Sequence, residues 1–124
     1  MTEPTEPGES TEDAPSYEAD DRRPIVWANL DKERNALVMT RLSVYDARNM
    51  VSLAPITSTI RGLASEVRVG RRNGLHHDSV AQMDNIQTVP KSLVLRHAGF
   101  LLDDQEAELA IALEYAYNLQ PPTP

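Results

Sequence analysis

The chain has no cysteine among its 124 residues, which excludes disulfide staples, thiolate nucleophiles and cysteine-ligated metal sites at once. A disulfide-free chain suits a reducing compartment, and the cytoplasm is the expected setting. Aromatic residues are scarce, with one Trp, one Phe and four Tyr, so a stacking platform has few members to draw on. No apolar run approaches the roughly 20 residues needed to cross a bilayer. The N-terminus is acidic where a secretory signal is positive, so the protein reads as soluble, not exported and not membrane-bound. The adjacent His76, His77 and Asp78 have no third ligand at a suggestive spacing, and neighbouring side chains in an extended segment point apart. They read as an exposed loop, and neither a metal nor another cofactor is expected.

An overall basic excess is absent too: the formal net charge is −7. Its distribution matters more than its sum. Residues 1–22 hold eight acids and one base, and residues 103–114 hold five acids and no base. The stretch between them, residues 23–102, carries six acids against eleven Lys and Arg. Such segregation gives a basic face and an acidic face on a small body. The composition of residues 1–22, with Tyr17 as its only aromatic group, buries too little to offset the entropy of ordering. It is expected to be an acidic disordered tail, followed by one domain over residues 23–120 and a Pro-rich tail at 121–124.

Within the domain, short β-like runs follow one another: Ile25–Leu30, Ala36–Thr40, Met50–Ile56, Ser65–Val69, Val80–Met83, Ile86–Val89 and Gly99–Leu102, with a helical turn at Lys91–Leu95. Close spacing with no long helices between them predicts an antiparallel sheet that curls into a small barrel. One helix closes the chain. Asp103 is read as its N-cap with Glu106 three positions on, and Leu102 as stapling onto Ala107. Asp104, Glu108, Glu114 and Asn118 form one polar stripe, and most of the remaining circumference is apolar. That is more apolar face than one small barrel covers, and it predicts a homodimer packed through this helix.

Three blocks, read in order, carry a resemblance. Leu30-Asp31-Lys32-Glu33-Arg34 leads straight into a strand. Ala54-Pro55-Ile56-Thr57-Ser58-Thr59-Ile60-Arg61-Gly62 ends an apolar run in three hydroxyls and an arginine. Asp78-Ser79-Val80 is then followed by Asp84–Ser92. Together they resemble the MazF/PemK family of toxin endoribonucleases, in a short-loop branch, over roughly residues 23–120. The resemblance implies an SH3-like, CcdB-like antiparallel β-barrel that dimerises, cuts single-stranded RNA without a metal and is held inactive by a cognate antitoxin with an acidic disordered segment. It also implies that Arg34 and Thr57 are the catalytic pair. Asn35 stands where the family usually has proline, which leaves the backbone at Arg34 less rigid.

The residue types fit that chemistry. If the RNA 2′-hydroxyl attacks the adjacent phosphate, the protein needs donors for the phosphorane charge, and the fork of Arg34 supplies them. Thr57 then hydrogen-bonds a phosphate oxygen or the 2′-hydroxyl, and Ser58 contacts phosphate. Asn85, Gln87 and Thr88, read as one polar strand face, are expected to meet base edges. Tyr45, read as a loop residue, is expected to stack on a base. Two other readings compete: a non-catalytic CcdB-like barrel that binds gyrase, although residues 119–124 lack the Trp-Gly-Ile ending of those toxins, and an RNA-binding module with a decayed nuclease site.

Overall fold

The structure, a computed structural model, describes residues 21–120. The acidic tail, apart from Asp21 and Arg22, and the Pro-rich C-terminal tail lie outside the described residues. Among the described residues seven strands, all paired antiparallel, form the body: β1 (Pro24–Asn29), β2 (Glu33–Val38), β3 (Met50–Thr57), β4 (Glu66–Val69), β5 (Ser79–Gln82), β6 (Gln87–Pro90) and β7 (Val94–Phe100). A short helix α1 (Leu42–Tyr45) and the C-terminal α2 (Glu106–Tyr117) complete it.

The central member is β3. Its first half pairs with β6 from Met50↔Pro90 to Leu53↔Gln87, its last residues pair with β5 at Ile56↔Ala81 and Thr57↔Val80, and its other edge pairs with β2. Between β5 and β6 the chain lifts off β3 into a 3₁₀ turn, Met83–Asn85. The lift lies opposite Ala54 and Pro55, where proline has no N–H for a ladder.

Pairing runs along one open path, β4-β5-β3-β2-β1-β7, with β6 on the flank of β3. No ladder joins β4 to β7, so the sheet is not closed as a hydrogen-bonded barrel. Apolar cover fills that side instead: Leu109 and Ala112 of α2 pack with Leu101, Ile25, Leu37, Ala54, Ile56, Val67 and Met83. The period-2 alternation sends Val26, Ala28, Ala36, Val38, Val51 and Leu53 to the opposite face, around Tyr45.

Several elements differ from the sequence reading, among them the second strand, read as Ala36–Thr40 and observed at Glu33–Val38. The last strand spans Val94–Phe100, longer and earlier than Gly99–Leu102, with only Lys91–Leu93 as a 3₁₀ turn. The final helix is preceded by a 3₁₀ turn at Asp103–Gln105, and Asp103 makes no side-chain cap. Buried Gln105 does that work: its Oε1 accepts the Leu102 N–H at 2.9 Å and the Asn73 Nδ2 at 2.6 Å. Asn73 Oδ1 accepts the Gly70 N–H at 3.0 Å, and its Nδ2 also donates to the Phe100 carbonyl at 2.9 Å. This amide pair joins the 3₁₀ turn Arg71–Asn73, the end of β7 and the start of α2. β7 approaches the turn so closely that a Cβ at Gly99 would overlap the Asn73 carbonyl oxygen.

Helix α2 ends at Asn118, left-handed at φ 52°, whose N–H returns to Glu114 and Tyr115 carbonyls. The helix stops on Asn118 and not on the later prolines. Ile111, Tyr115, Tyr117 and Leu119 are left exposed.

Candidate active site

Arg34 is the second residue of β2 and pairs with Ala28 of β1. The β2–β3 register runs Val38↔Leu53, Leu37↔Ala54, Ala36↔Pro55. Continued by two residues, it sets Arg34 opposite Thr57, the last residue of β3. Alternation puts both on the face of Ala36, Val38, Val51 and Leu53, at the rim of that core.

Asp31, in the turn between β1 and β2, holds the guanidinium side-on. Arg34 Nε donates to Oδ1 and Nη2 to Oδ2, each at 2.9 Å. The Arg34 side chain is 20% exposed and that of Asp31 71%, so the carboxylate lies outside and the guanidinium stays sheltered. The bidentate hydrogen bonds from Arg34 keep the Asp31 carboxyl below its usual range. Two of five guanidinium N–H groups are used, and the Nη1 edge is left for a second anion. Asn35, in place of proline, does not disturb the register, since it pairs with Trp27 as Arg34 does with Ala28. Its Nδ2 is buried without a hydrogen-bond partner among the described residues, in a cleft of about 180 Å³ lined also by Trp27, His76 and His97.

Thr57 Oγ1 accepts the Thr59 N–H at 3.1 Å, which leaves its own proton free to donate. Ser58 is exposed just past the strand. The loop that follows is tied back by Glu66, whose carboxylate accepts the N–H groups of Arg61 (3.3 Å), Gly62 (2.9 Å) and Leu63 (3.1 Å). Gly62 makes that bend at φ 75°.

The residues expected to read bases are not on one face. Asn85 is exposed in the 3₁₀ turn before β6. Gln87 pairs with Leu53 and shares the Arg34–Thr57 face, four residues down β3 from Thr57. Thr88 pairs with Ser52 on the other face, and their hydroxyls are 2.8 Å apart. The strand begins at Gln87, so Asn85 is outside it and adjacent Gln87 and Thr88 diverge.

Tyr45 is corrected. It ends α1 and is 4% exposed, within the second core. Lys91 Nζ lies 4.4 Å from its ring centroid and donates to its carbonyl at 2.9 Å. Burial, with the Asp46 charge adding, raises its phenol above the usual value. A base cannot stack on that ring.

His76, His77 and Asp78 are exposed, and among the described residues no three His, Asp or Glu side chains are grouped to hold a metal ion. No helix there is long and apolar enough to cross a membrane. The residue that sequence reasoning left without a role is Asp31. An acid three positions before an arginine across a tight turn was the available signal.

A sequence profile described as PemK-like, MazF-like toxin of type II toxin-antitoxin system matches residues 21–117. Endoribonuclease MazF3 of Mycobacterium tuberculosis is 47% identical over 97 residues, covering 78% of this chain and 94% of that protein. The solved Mycobacterium tuberculosis toxin MazF-mt6 superposes with a TM-score of 0.78 at 47% identity, covering 79% of this chain and 99% of that one. A mycobacterial endoribonuclease solved with its cognate antitoxin shares the fold, with a TM-score of 0.72 at 22% identity over 82% of this chain and 97% of that one. The chain belongs to the PemK-like, MazF-like family of toxins of type II toxin–antitoxin systems, a family of endoribonucleases.

Proposed function

We propose that this toxin cuts single-stranded RNA by in-line attack of the substrate's own 2′-hydroxyl, leaving a 2′,3′-cyclic phosphate and a 5′-hydroxyl, with Arg34 and Thr57 acting on one phosphate. The observation that carries the reading is the shared row of Arg34 and Thr57, with the guanidinium fixed by Asp31 and its Nη1 edge open. The nucleophile belongs to the RNA, so the protein contributes charge stabilisation and orientation. As the 2′-oxygen bonds to phosphorus its proton passes to solvent water, while Arg34 donates to the non-bridging oxygens of the phosphorane and, as the bond from phosphorus to the 5′-oxygen breaks, protonates that oxygen and regains its proton from solvent. Arg34 is no general base, because a guanidinium presents five donors and no acceptor. Thr57 donates to a phosphate oxygen or orients the 2′-hydroxyl, and Ser58 adds a phosphate contact. Asp31 acts through Arg34 and is a positioning residue. Gln87, on the same face, and Asn85, exposed at the turn, are assigned to base edges; Thr88, on the far face, is a weaker member of that set.

The same reading includes a homodimer, in which the exposed Ile111, Tyr115 and Tyr117 of α2 pack against a second copy and the open sheet serves as the barrel-like scaffold. Its other partner is a cognate antitoxin whose acidic segment folds into the RNA groove and competes for Arg34. The relative solved with its cognate antitoxin supports an antitoxin as the partner. Residues 1–22 and 121–124 are assigned as tails outside the domain, and the cytoplasm as the place of action.

The test is incubation of the purified protein with a mixed RNA pool in EDTA, with sequencing of the ends formed. Cuts at a shared short motif that vanish in Arg34→Ala and Thr57→Ala are expected. Intact RNA, or cutting that both variants retain, refutes the assignment.

A further inference from the structure

Thr57 pairs with Val80 of β5, and Val80 pairs on its other side with Arg68 of β4. Residues paired in this way across a sheet project from the same face. The row that begins with Arg34 and Thr57 therefore continues through Val80 to Arg68, two strand spacings or about 10 Å beyond Thr57. The neighbours of Arg68 fix its direction, because Val67 and Val69 go into the core beneath α2.

Four described arginines are engaged by a nearby acid, Arg23 by Glu106, Arg34 by Asp31, Arg72 by Asp104 and Arg96 by Glu33, while Arg41, Arg48, Arg61, Arg68 and Arg71 have no ion pair among the described residues; of these five, Arg68 is on the row. Arg68 and Arg71 are exposed, and neither has an ion pair among the described residues. Both line a groove of about 410 Å³ between the end of β4 and the start of α2, with Asp78 and Glu108 on its walls. Arg68 stands on that row, and Arg71, in the 3₁₀ turn three residues on, lines the same groove at the edge of β4.

We propose that Arg68 and Arg71 bind a backbone phosphate of the substrate RNA flanking the one that is cut. The proposal rests on the Arg34–Thr57 reading for the position of the scissile phosphate. Val80 is fully buried, so a single strand leaving Thr57 along the row runs outside the residues that cover it and reaches Arg68 within a couple of nucleotides. Such contacts hold the strand without reading its sequence, so they act on affinity and leave the chemical step alone.

The experiment compares the full chain with Arg68→Ala/Arg71→Ala on two RNAs carrying the motif found in the pool assay. One has several nucleotides on each side of the cut, and the other has one on each side. KM is expected to rise roughly tenfold on the long RNA, with kcat unchanged and no effect on the short one. The salt dependence of log KM on the long RNA is expected to flatten by about 0.7 for each phosphate that the variant no longer neutralises. Arg68→Lys/Arg71→Lys, which keeps the charge, is expected to recover most of the affinity. An unchanged KM on the long RNA, or equal losses on both, overturns the proposal. Binding of the long RNA with a single 2′-deoxy nucleotide at the cut is measured alongside, because it reads Arg68 and Arg71 whether or not Arg34 and Thr57 do the cutting.

Discussion

Arg34–Asp31 and Arg72–Asp104 are both arginine–aspartate pairs at the surface, and in both the arginine lowers the carboxyl pKa. Their geometry differs. Arg34 is held side-on through Nε and Nη2 across a three-residue separation, whereas Arg72 reaches both oxygens of Asp104 from Nη2 alone at 2.7 Å and bridges the chain from the turn after β4 to the start of α2. Arg72 is 56% exposed and Arg34 20%. One pair fixes the plane of a sheltered guanidinium beside a threonine at the end of a strand row. The other lies in water over the Asn73–Gln105 hub, where the buried amides and not the charges hold the elements together. The same two residue types serve chemistry in one place and decorate a joint in the other, and the difference lies in what the backbone register puts beside them.

The largest effect that separates them is on cutting. Arg34→Lys keeps the charge but loses the side-on fork, and kcat is expected to fall by about 10²-fold, while Arg72→Lys leaves single-turnover RNA cleavage unchanged. The next effect belongs to the joint. Asn73→Ala leaves Gln105 and the Gly70 N–H without their buried partners and is expected to cost about 2–3 kcal/mol in urea unfolding, with the activity of the remaining folded protein intact. Asp31→Asn weakens the clamp on Arg34 and is expected to lower kcat roughly tenfold, with KM little changed.

The pH response follows from the same clamp. Because the folded pKa of Asp31 is depressed, the pair is fully present above the usual aspartate pKa of about 3.9 and is lost only as pH falls through the lower folded value. A kcat profile between pH 5 and 8 is therefore expected to show no limb that Asp31→Asn abolishes. The smallest effect is on stability at Arg72→Ala, where an exposed pair contributes little and thermal melting is expected to stay close to wild type.

Most strand positions were legible because each run alternates apolar and polar residues or is wholly apolar, and Met50–Ile56 differs from the observed β3 by one residue. The facing of Arg34 and Thr57 came from the family resemblance, and no periodicity in either strand encodes it. Tyr45 failed because a four-residue helix is too short to show a period, and the stretch before the third strand reads as a loop without one. The Asn85–Thr88 face failed because a 3₁₀ turn in the middle of an apolar-polar alternation leaves the pattern intact while shifting where the strand begins. The helix start was misread because Asp103 has the right type for a cap, whereas the amide that does the capping, Gln105, is committed by its contact with Asn73, 32 residues away.

A double-mutant cycle on one RNA oligonucleotide tests most directly whether Arg34 and Thr57 act on a single phosphate. Arg34→Ala is expected to lower the single-turnover rate by about 10²- to 10³-fold and Thr57→Val by about tenfold. The double variant is then expected to lose little more than Arg34→Ala alone. Losses that multiply in full would show two residues acting independently and would contradict the shared site.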